Sequence, residues 1–249
     1  MRVFSAAYLT TLGVTVVVTA ALTAAARLRP GRWVIWADGA LAGMLLAVTG
    51  AWFASTFASA RFSPATSLPL ALCDLGTLVA SAALLTRARL LVELTYFWGL
   101  AGTLQSLLTP DLSARFPSLV FFEYVLAHGG IVCAAVLLVA GQHLVPRRRA
   151  VPRILGITLA YSAFVGIADA LTGGDYMYLR RPPGNWTLLK VLGPWPWYIA
   201  SATAVAAVLF TLLDLPFWRQ RAAGERAMDE ASSPPRPLPR SRRVRPSRL

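Results

Sequence analysis

Charge is scarce in this chain. Asp, Glu, Lys and Arg make up 14% of its 249 residues, against roughly 25% in a soluble domain, which excludes an ordinary water-facing surface. Only two cysteines occur, Cys73 and Cys133, and both lie inside apolar runs, so a disulfide framework is excluded. No zinc spacing, glycine-rich phosphate loop or Walker sequence is present. The chain therefore offers no recognisable place for a metal, ATP or a dinucleotide, and neither metal nor cofactor is expected. Acidic residues are also few, 11 against 24 basic ones.

What fills the space is apolar: 56% of the residues are hydrophobic. Seven runs have the roughly 17 to 25 residues that cross a bilayer as a helix, near 5–26, 33–57, 68–86, 90–108, 119–140, 151–171 and 195–216. Runs this long and this uniformly apolar are helices, not barrel strands. The fold class is thus all-α: a polytopic membrane protein, a bundle of seven transmembrane helices, multi-pass in the cell membrane. Of the 24 basic residues, 18 fall on one side of that threading and 6 on the other. The positive-inside rule then sets the N-terminus outside and the C-terminus inside. Thr23 to Ala26 offers a small-residue cleavage pattern, but a single arginine precedes the first run, and cleavage would leave Arg27, Arg29 and Arg32 outside. The first run is read as a retained helix.

Residues 1–217 form the transmembrane domain. Residues 218–249 alternate Arg with Pro and carry little apolar mass, which reads as a disordered cytoplasmic tail. Its partners are anionic headgroups, each basic residue near the surface contributing about 1 kcal/mol. No folded basic platform accompanies it, so no nucleic-acid partner is expected. Membrane lipids are the remaining partner.

Ionisable groups inside a bilayer are costly, so their depth is informative. Asp38, Glu93 and Asp214 lie toward the cytoplasmic end. Cys73, Asp74, Gln105, Glu123, His128 and Asp169 share the outer half, with Asp111, Asp175, Tyr176, Tyr178 and Asn185 in the loops above. On the third span Cys73, Gly76, Thr77, Ala80 and Ser81 follow helical spacing and form a small, polar face, while Leu68, Leu72, Leu75 and Val79 form the lipid-facing one. Thr95, Gly99, Gly102, Ser106 and Thr109 repeat the small-residue pattern on the fourth span and allow close helix approach. Glu123 and His128 diverge by about 140° around the fifth helix. Either protein surrounds that helix or one of the two faces away from the cluster. The long connection 172–194 ends at Gly193-Pro194-Trp195-Pro196-Trp197-Tyr198. It reads either as an interfacial anchor for the last span or as a lid over the outer cluster.

The strings Leu70-Ala71-Leu72-Cys73-Asp74, Tyr96-Phe97-Trp98-Gly99-Leu100, Leu108-Thr109-Pro110-Asp111, His128-Gly129, Tyr176-Met177-Tyr178-Leu179 and Gly193-Pro194-Trp195-Pro196-Trp197-Tyr198 are in the right order and spacing from about 68 to 217. Through them the chain resembles the YwaF-like family of bacterial integral membrane proteins. That family is distantly similar to a eukaryotic multi-pass acyltransferase that remodels ether phospholipids through a membrane-embedded cysteine. The resemblance implies that Cys73 is the nucleophile, His128 its base, and the product of the first step an acyl thioester. Where such proteins usually carry a histidine two residues before the cysteine, this chain has Ala71, and Asp169 and Asp175 stand where asparagines are expected.

Asp74, Gln105, Asp111, Glu123, Asp169, Asp175, Tyr176, Asn185, Trp195 and Trp197 would line the cavity or bind substrate. Two plainer readings stand beside this one. Cys73 serves as a small packing residue, and His128 as an interhelical hydrogen-bonding group to Glu123 or Asp74. The alternative function is non-enzymatic: an outer-facing polar cavity that binds or transports a small cation or a lipid.

Overall fold

The structure, a computed structural model, describes residues 5–58, 62–110, 114, 116–184 and 187–232, with 219, 220 and 222–232 by backbone alone. Among these the regular structure is entirely helical. Five helices are long and apolar enough to cross a membrane.

Helix α1 (Ala6–Leu28) stops one residue short of Arg29, which precedes Pro30 and is pushed out of helical geometry. Helix α2 covers Trp33–Ala58. Helix α3 is shorter than the third apolar run, Leu72–Thr86 rather than 68–86. Pro69 explains the late start, because a proline there disfavours helical geometry at Leu68. Helix α4 (Arg89–Trp98) continues through a π-helical turn, Gly99–Thr103, into α5 (Leu104–Leu108), making one rod. Helix α6 (Leu119–Val136) likewise runs into a π turn at Leu137–Gly141. Helix α7 is Ala150–Thr172 and α8 is Trp197–Ser232. The last helix runs past residue 218, where the sequence reading begins a disordered tail. Ala222, Ala223 and Ala227 are good helix formers, which the Arg/Pro reading underweighted. Residues 233–249 lie outside the described residues.

The chain divides into two compact units, Met1–Leu215 and Pro216–Leu249. Within the first, α6 is the enclosed element. Glu123 and His128 are both buried despite pointing in different directions, and protein surrounds the helix from His128 to Ala135, while Leu119, Val120, Phe122 and Leu126 nearer its start are exposed. Its small residues admit neighbours: a methyl added at Gly99 would stand 3.1 Å from the Ala135 Cβ. Helices α1, α7 and α8 keep apolar flanks exposed, through Val16, Val17, Ile167, Leu171, Val208 and Leu212, as lipid-facing helices do. Many hydroxyls in the apolar helices are satisfied locally, although the hydroxyl oxygens of Thr19 and Thr23 in α1 are buried without a hydrogen-bond partner among the described residues. Thr49, Thr95, Thr158 and Thr203 each donate to the carbonyl four residues back.

The polar face of α3 is buried at Gly76, Thr77, Ala80 and Ser81. Its apolar face differs from the expected one: Val79 is buried, while Leu78 and Leu85 are exposed. Helix α2 covers the polar face, where Thr49 bonds Thr77 at 3.0 Å and Ser81 reaches the Ala42 carbonyl.

The carboxylates at the arginine-rich end are paired. Asp38 accepts from Arg87 and from Gln142, each at 2.8 Å. Glu93 accepts from the Arg147 side chain at 2.8 and 3.1 Å, from the Arg147 amide at 2.9 Å and from Arg153 at 2.6 Å. These pairs fix the α2, α3, α4 and α7 ends to one another.

Candidate active site

Cys73 sits in the first turn of α3 and is half-buried. Residues 62–71 lead into it without helical structure, and their backbone groups need partners. Two tyrosines from distant sequence supply them. The Tyr176 hydroxyl accepts from the Leu68 amide and donates to the Pro64 carbonyl, both at 2.8 Å. The Tyr161 hydroxyl donates to the Leu70 carbonyl at 3.0 Å. Tyr176 is itself held by its amide, which donates to Asp169 Oδ1 at 2.9 Å. Burial pushes the Tyr176 phenol above its ordinary range, which keeps it protonated and able to donate.

Ala71 occupies the N-cap and provides no side-chain acceptor. The Asp74 amide donates to the Ala71 carbonyl at 3.1 Å, while among the described residues the Leu72 and Cys73 amides have no protein partner. The thiol has one side-chain neighbour in reach, Asp74 Oδ1 at 4.0 Å.

His128 is on α6. Its Nδ1 lies 2.8 Å from the Tyr124 carbonyl, and its ring stacks on Tyr124 at 4.0 Å. A carbonyl only accepts, so Nδ1 carries the hydrogen and Nε2 keeps its lone pair. The Tyr124 hydroxyl in turn donates to the Ser106 carbonyl at 2.5 Å.

No hydrogen bond joins Cys73 to His128 among the described residues. They are nonetheless at corresponding heights. A methyl at Gly76 would stand 3.4 Å from Ile131 Cδ1, and Cys73 and His128 are three residues back from each on helices that run the same way. The antiparallel rod agrees: Tyr124 reaches Ser106 and Ile131 lies against Gly99, which brings Gly102 to the height of His128. Leu72, adjacent to Cys73, approaches that same Gly102, 3.6 Å from a methyl placed there.

The remaining predicted residues separate into groups. Gln105 is half-buried one turn from Gly102, and among the described residues its side-chain amide bonds no protein group. Asp169 is fully buried with Oδ2 unpartnered, and Glu123 is buried with Oε1 unpartnered. Asp175 is a loop-forming residue: Oδ1 accepts from the Arg180 amide at 2.8 Å and Oδ2 pairs with Arg181 at 3.3 Å. The Trp195 indole is spent on the Leu179 carbonyl at 3.1 Å, and Trp197 is exposed. Asp111 and Asn185 lie outside the described residues. Sequence reasoning missed Tyr161 and Tyr124. An i, i+4 Tyr–His pair on one helix was a visible signal for the second; nothing local pointed to the first.

The connection after α7 is strapped down at both ends. Tyr176 ties it to the segment before α3, and the Tyr198 hydroxyl on α8 donates to the Tyr178 carbonyl. A methyl at Gly174 would meet the Ala65 carbonyl at 2.9 Å, so the two loops touch at backbone distance.

Residues 3–214 match the model of the TMEM164 family. No curated protein and no solved structure matches the chain.

Proposed function

The chain belongs to the TMEM164 family of membrane proteins, and on that premise we propose that it transfers acyl chains between phospholipids through a thioester on Cys73. The observation that carries the reading is the height match between a half-buried thiol at an uncapped helix N-terminus and an imidazole with its Nε2 lone pair free. Catalytic hydrogen bonds are often long before substrate binds, and the ester would enter between the two helices.

In the first step His128 Nε2 takes the Cys73 proton and the thiolate attacks the ester carbonyl. The Cys73 amide, unbonded at the start of α3, and the Gln105 side chain stabilise the oxyanion. Collapse breaks the ester C–O bond, and the departing lysophospholipid oxygen takes the proton from His128. A second lysophospholipid hydroxyl then gives its proton to His128 and attacks the thioester, which releases the new phospholipid and the thiolate. No oxidant, reductant or soluble cofactor enters this balance. Ala71 at the N-cap, where the YwaF-like pattern usually has histidine, removes one candidate proton carrier and leaves the task to His128.

The same reading completes the threading at seven passes, with the N-terminus outside and the C-terminus inside the cell membrane. Helix α3 is about 22 Å long at 1.5 Å per residue, and the irregular residues 68–71, with the Leu70 amide turned to the Leu68 carbonyl at 2.8 Å, precede it. Irregular backbone at membrane depth survives only where protein satisfies it or where it lines a cavity, which is the service Tyr161 and Tyr176 perform. The basic tail would rest on anionic headgroups.

The test compares membranes holding the wild type and Cys73→Ala, supplied with labelled lysophospholipid. Wild-type membranes should transfer label, and the protein should carry a hydroxylamine-sensitive acyl group; Cys73→Ala should do neither. Equal behaviour of the two overturns the enzyme reading. Tags at both termini, probed from outside, test the orientation.

A further inference from the structure

At the end opposite the thiol, a recess of about 130 Å³ lies between the α3–α4 turn and the segment after α6, lined by Arg87, Arg89, Val92, His143, Leu144 and Val145. This volume is about ten times the 10–15 Å³ that admits one water, enough for a phosphate group. Arg87 is held in place, since Asp38 accepts from its Nη2 at 2.8 Å, and Gln142, next to His143, bonds the other Asp38 oxygen. Arg89 and His143 are exposed, and among the described residues neither side chain has a protein partner. Asp38 offsets Arg87, so the recess keeps the uncompensated charge of Arg89, with the His143 ring as a further hydrogen-bonding group. Glu93, the next carboxylate along α4, is committed to Arg147 and Arg153.

The backbone is also unusual here. Among the described residues, Arg87 at φ 53° and His143 at φ 57° are two of the five non-glycine residues in the left-handed region, a conformation that side chains seldom adopt. Both line the recess. Its cationic side is backed by Val92, Leu144 and Val145, and Leu85 and Leu90, on either side of the turn, are exposed apolar residues.

We infer that this recess binds the phosphodiester of an anionic phospholipid headgroup, held by Arg87, Arg89 and His143, with the acyl chains lying along Leu85 and Leu90. The apolar lining beside the cations favours a lipid over free phosphate. A singly charged phosphodiester matches the single free guanidinium, and Arg can engage two of its oxygens at once. The site is separate from Cys73 and holds whether or not acyl transfer occurs.

The full chain is reconstituted in nanodiscs of phosphatidylcholine doped with phosphatidylglycerol, and retained lipid is measured by native mass spectrometry. Phosphatidylglycerol should be retained over phosphatidylcholine, and Arg89→Gln should weaken that retention about tenfold, as expected for one charge-assisted hydrogen bond. Arg29→Gln, which removes one exposed arginine from the same end, should leave it unchanged. Equal loss in Arg89→Gln and Arg29→Gln reduces the effect to general surface charge and overturns the site. Competition by millimolar inorganic phosphate overturns the lipid assignment. An unchanged melting temperature in Arg89→Gln keeps either result from being ascribed to misfolding.

Discussion

Glu93 offers a quantitative test of how the arginine-rich end is held. Its carboxylate is 1% exposed and accepts four hydrogen bonds, three from Arg147 and one from Arg153. The Glu93 carboxylate holds the Arg147 guanidinium above its ordinary range. The two arginines are partly exposed, at 39% and 33%, so each can return to water when its partner is lost, whereas the carboxylate cannot. The consequence is an asymmetry. Arg147→Ala removes two of the three charged contacts and leaves the buried acid with Arg153 and the residue-147 amide, which should cost about 2–3 kcal/mol, near the lower limit for breaking a buried pair. Arg153→Ala leaves Arg147 bidentate and should cost about 1 kcal/mol. Glu93→Gln keeps the volume and should fall between them. In the Glu93→Gln/Arg147→Ala double variant the losses should be less than additive by at least about 1 kcal/mol, because the buried charge has gone with its partner. Denaturation in mixed micelles, followed by far-UV circular dichroism, measures all four. If Arg153→Ala destabilises as much as Arg147→Ala, the hydrogen-bond inventory does not govern stability here and the reasoning fails.

Tyr176→Phe keeps the ring but removes the hydroxyl shared by Leu68 and Pro64. It should cost about 1–2 kcal/mol and raise hydrogen exchange across residues 63–71 while leaving α2 unchanged. The same phenol has its pKa raised in the fold. Its contribution is therefore fully present below the unfolded value near 10 and is lost as pH climbs through the folded value, so wild type and Tyr176→Phe should converge in strongly alkaline solution. His128→Gln should abolish acyl transfer while leaving the melting temperature within a few degrees; transfer at the wild-type rate would remove His128 from the mechanism. Gly99→Leu should destabilise by several kcal/mol, since even a methyl there lies 3.1 Å from Ala135; a wild-type melting temperature would show that α4 and α6 are less closely packed than described.

Apolar run length revealed most of the fold, because lipid leaves a helix few alternatives. The bounds of α1, α2 and α7 lie within two residues of the runs read from sequence. What composition concealed were effects of single residues or of distant partners. Pro69 shortened α3 by shaping the residue before it. The π turns at Gly99 and Leu137 add backbone geometry that hydropathy does not encode. Val79 was assigned to lipid because an apolar side chain reads the same whether lipid or another helix covers it, and here it is buried. At the site, Cys73, Asp74 and His128 were readable from type and depth. Tyr161, 91 residues from the carbonyl it satisfies, was not, because its role exists only once two loops have met.

The Tyr161 and Tyr176 contacts also explain why the polar groups gather where they do. A membrane helix satisfies its own backbone, and an extended segment at the same depth cannot. The chain breaks helical structure before Cys73 and then spends two tyrosines, a buried aspartate and a strapped loop on the exposed amides and carbonyls. Starting α3 at Leu72 has one local consequence: it puts the unpaired Leu72 and Cys73 amides, rather than those of an earlier turn, beside the thiol, while the Asp74 amide turns to the Ala71 carbonyl at 3.1 Å. Open amides beside a nucleophile are what an acyl transfer step uses to hold developing negative charge. If Tyr161→Phe and Tyr176→Phe together lowered stability without altering any activity of Cys73, the irregular entrance would be a folding feature alone.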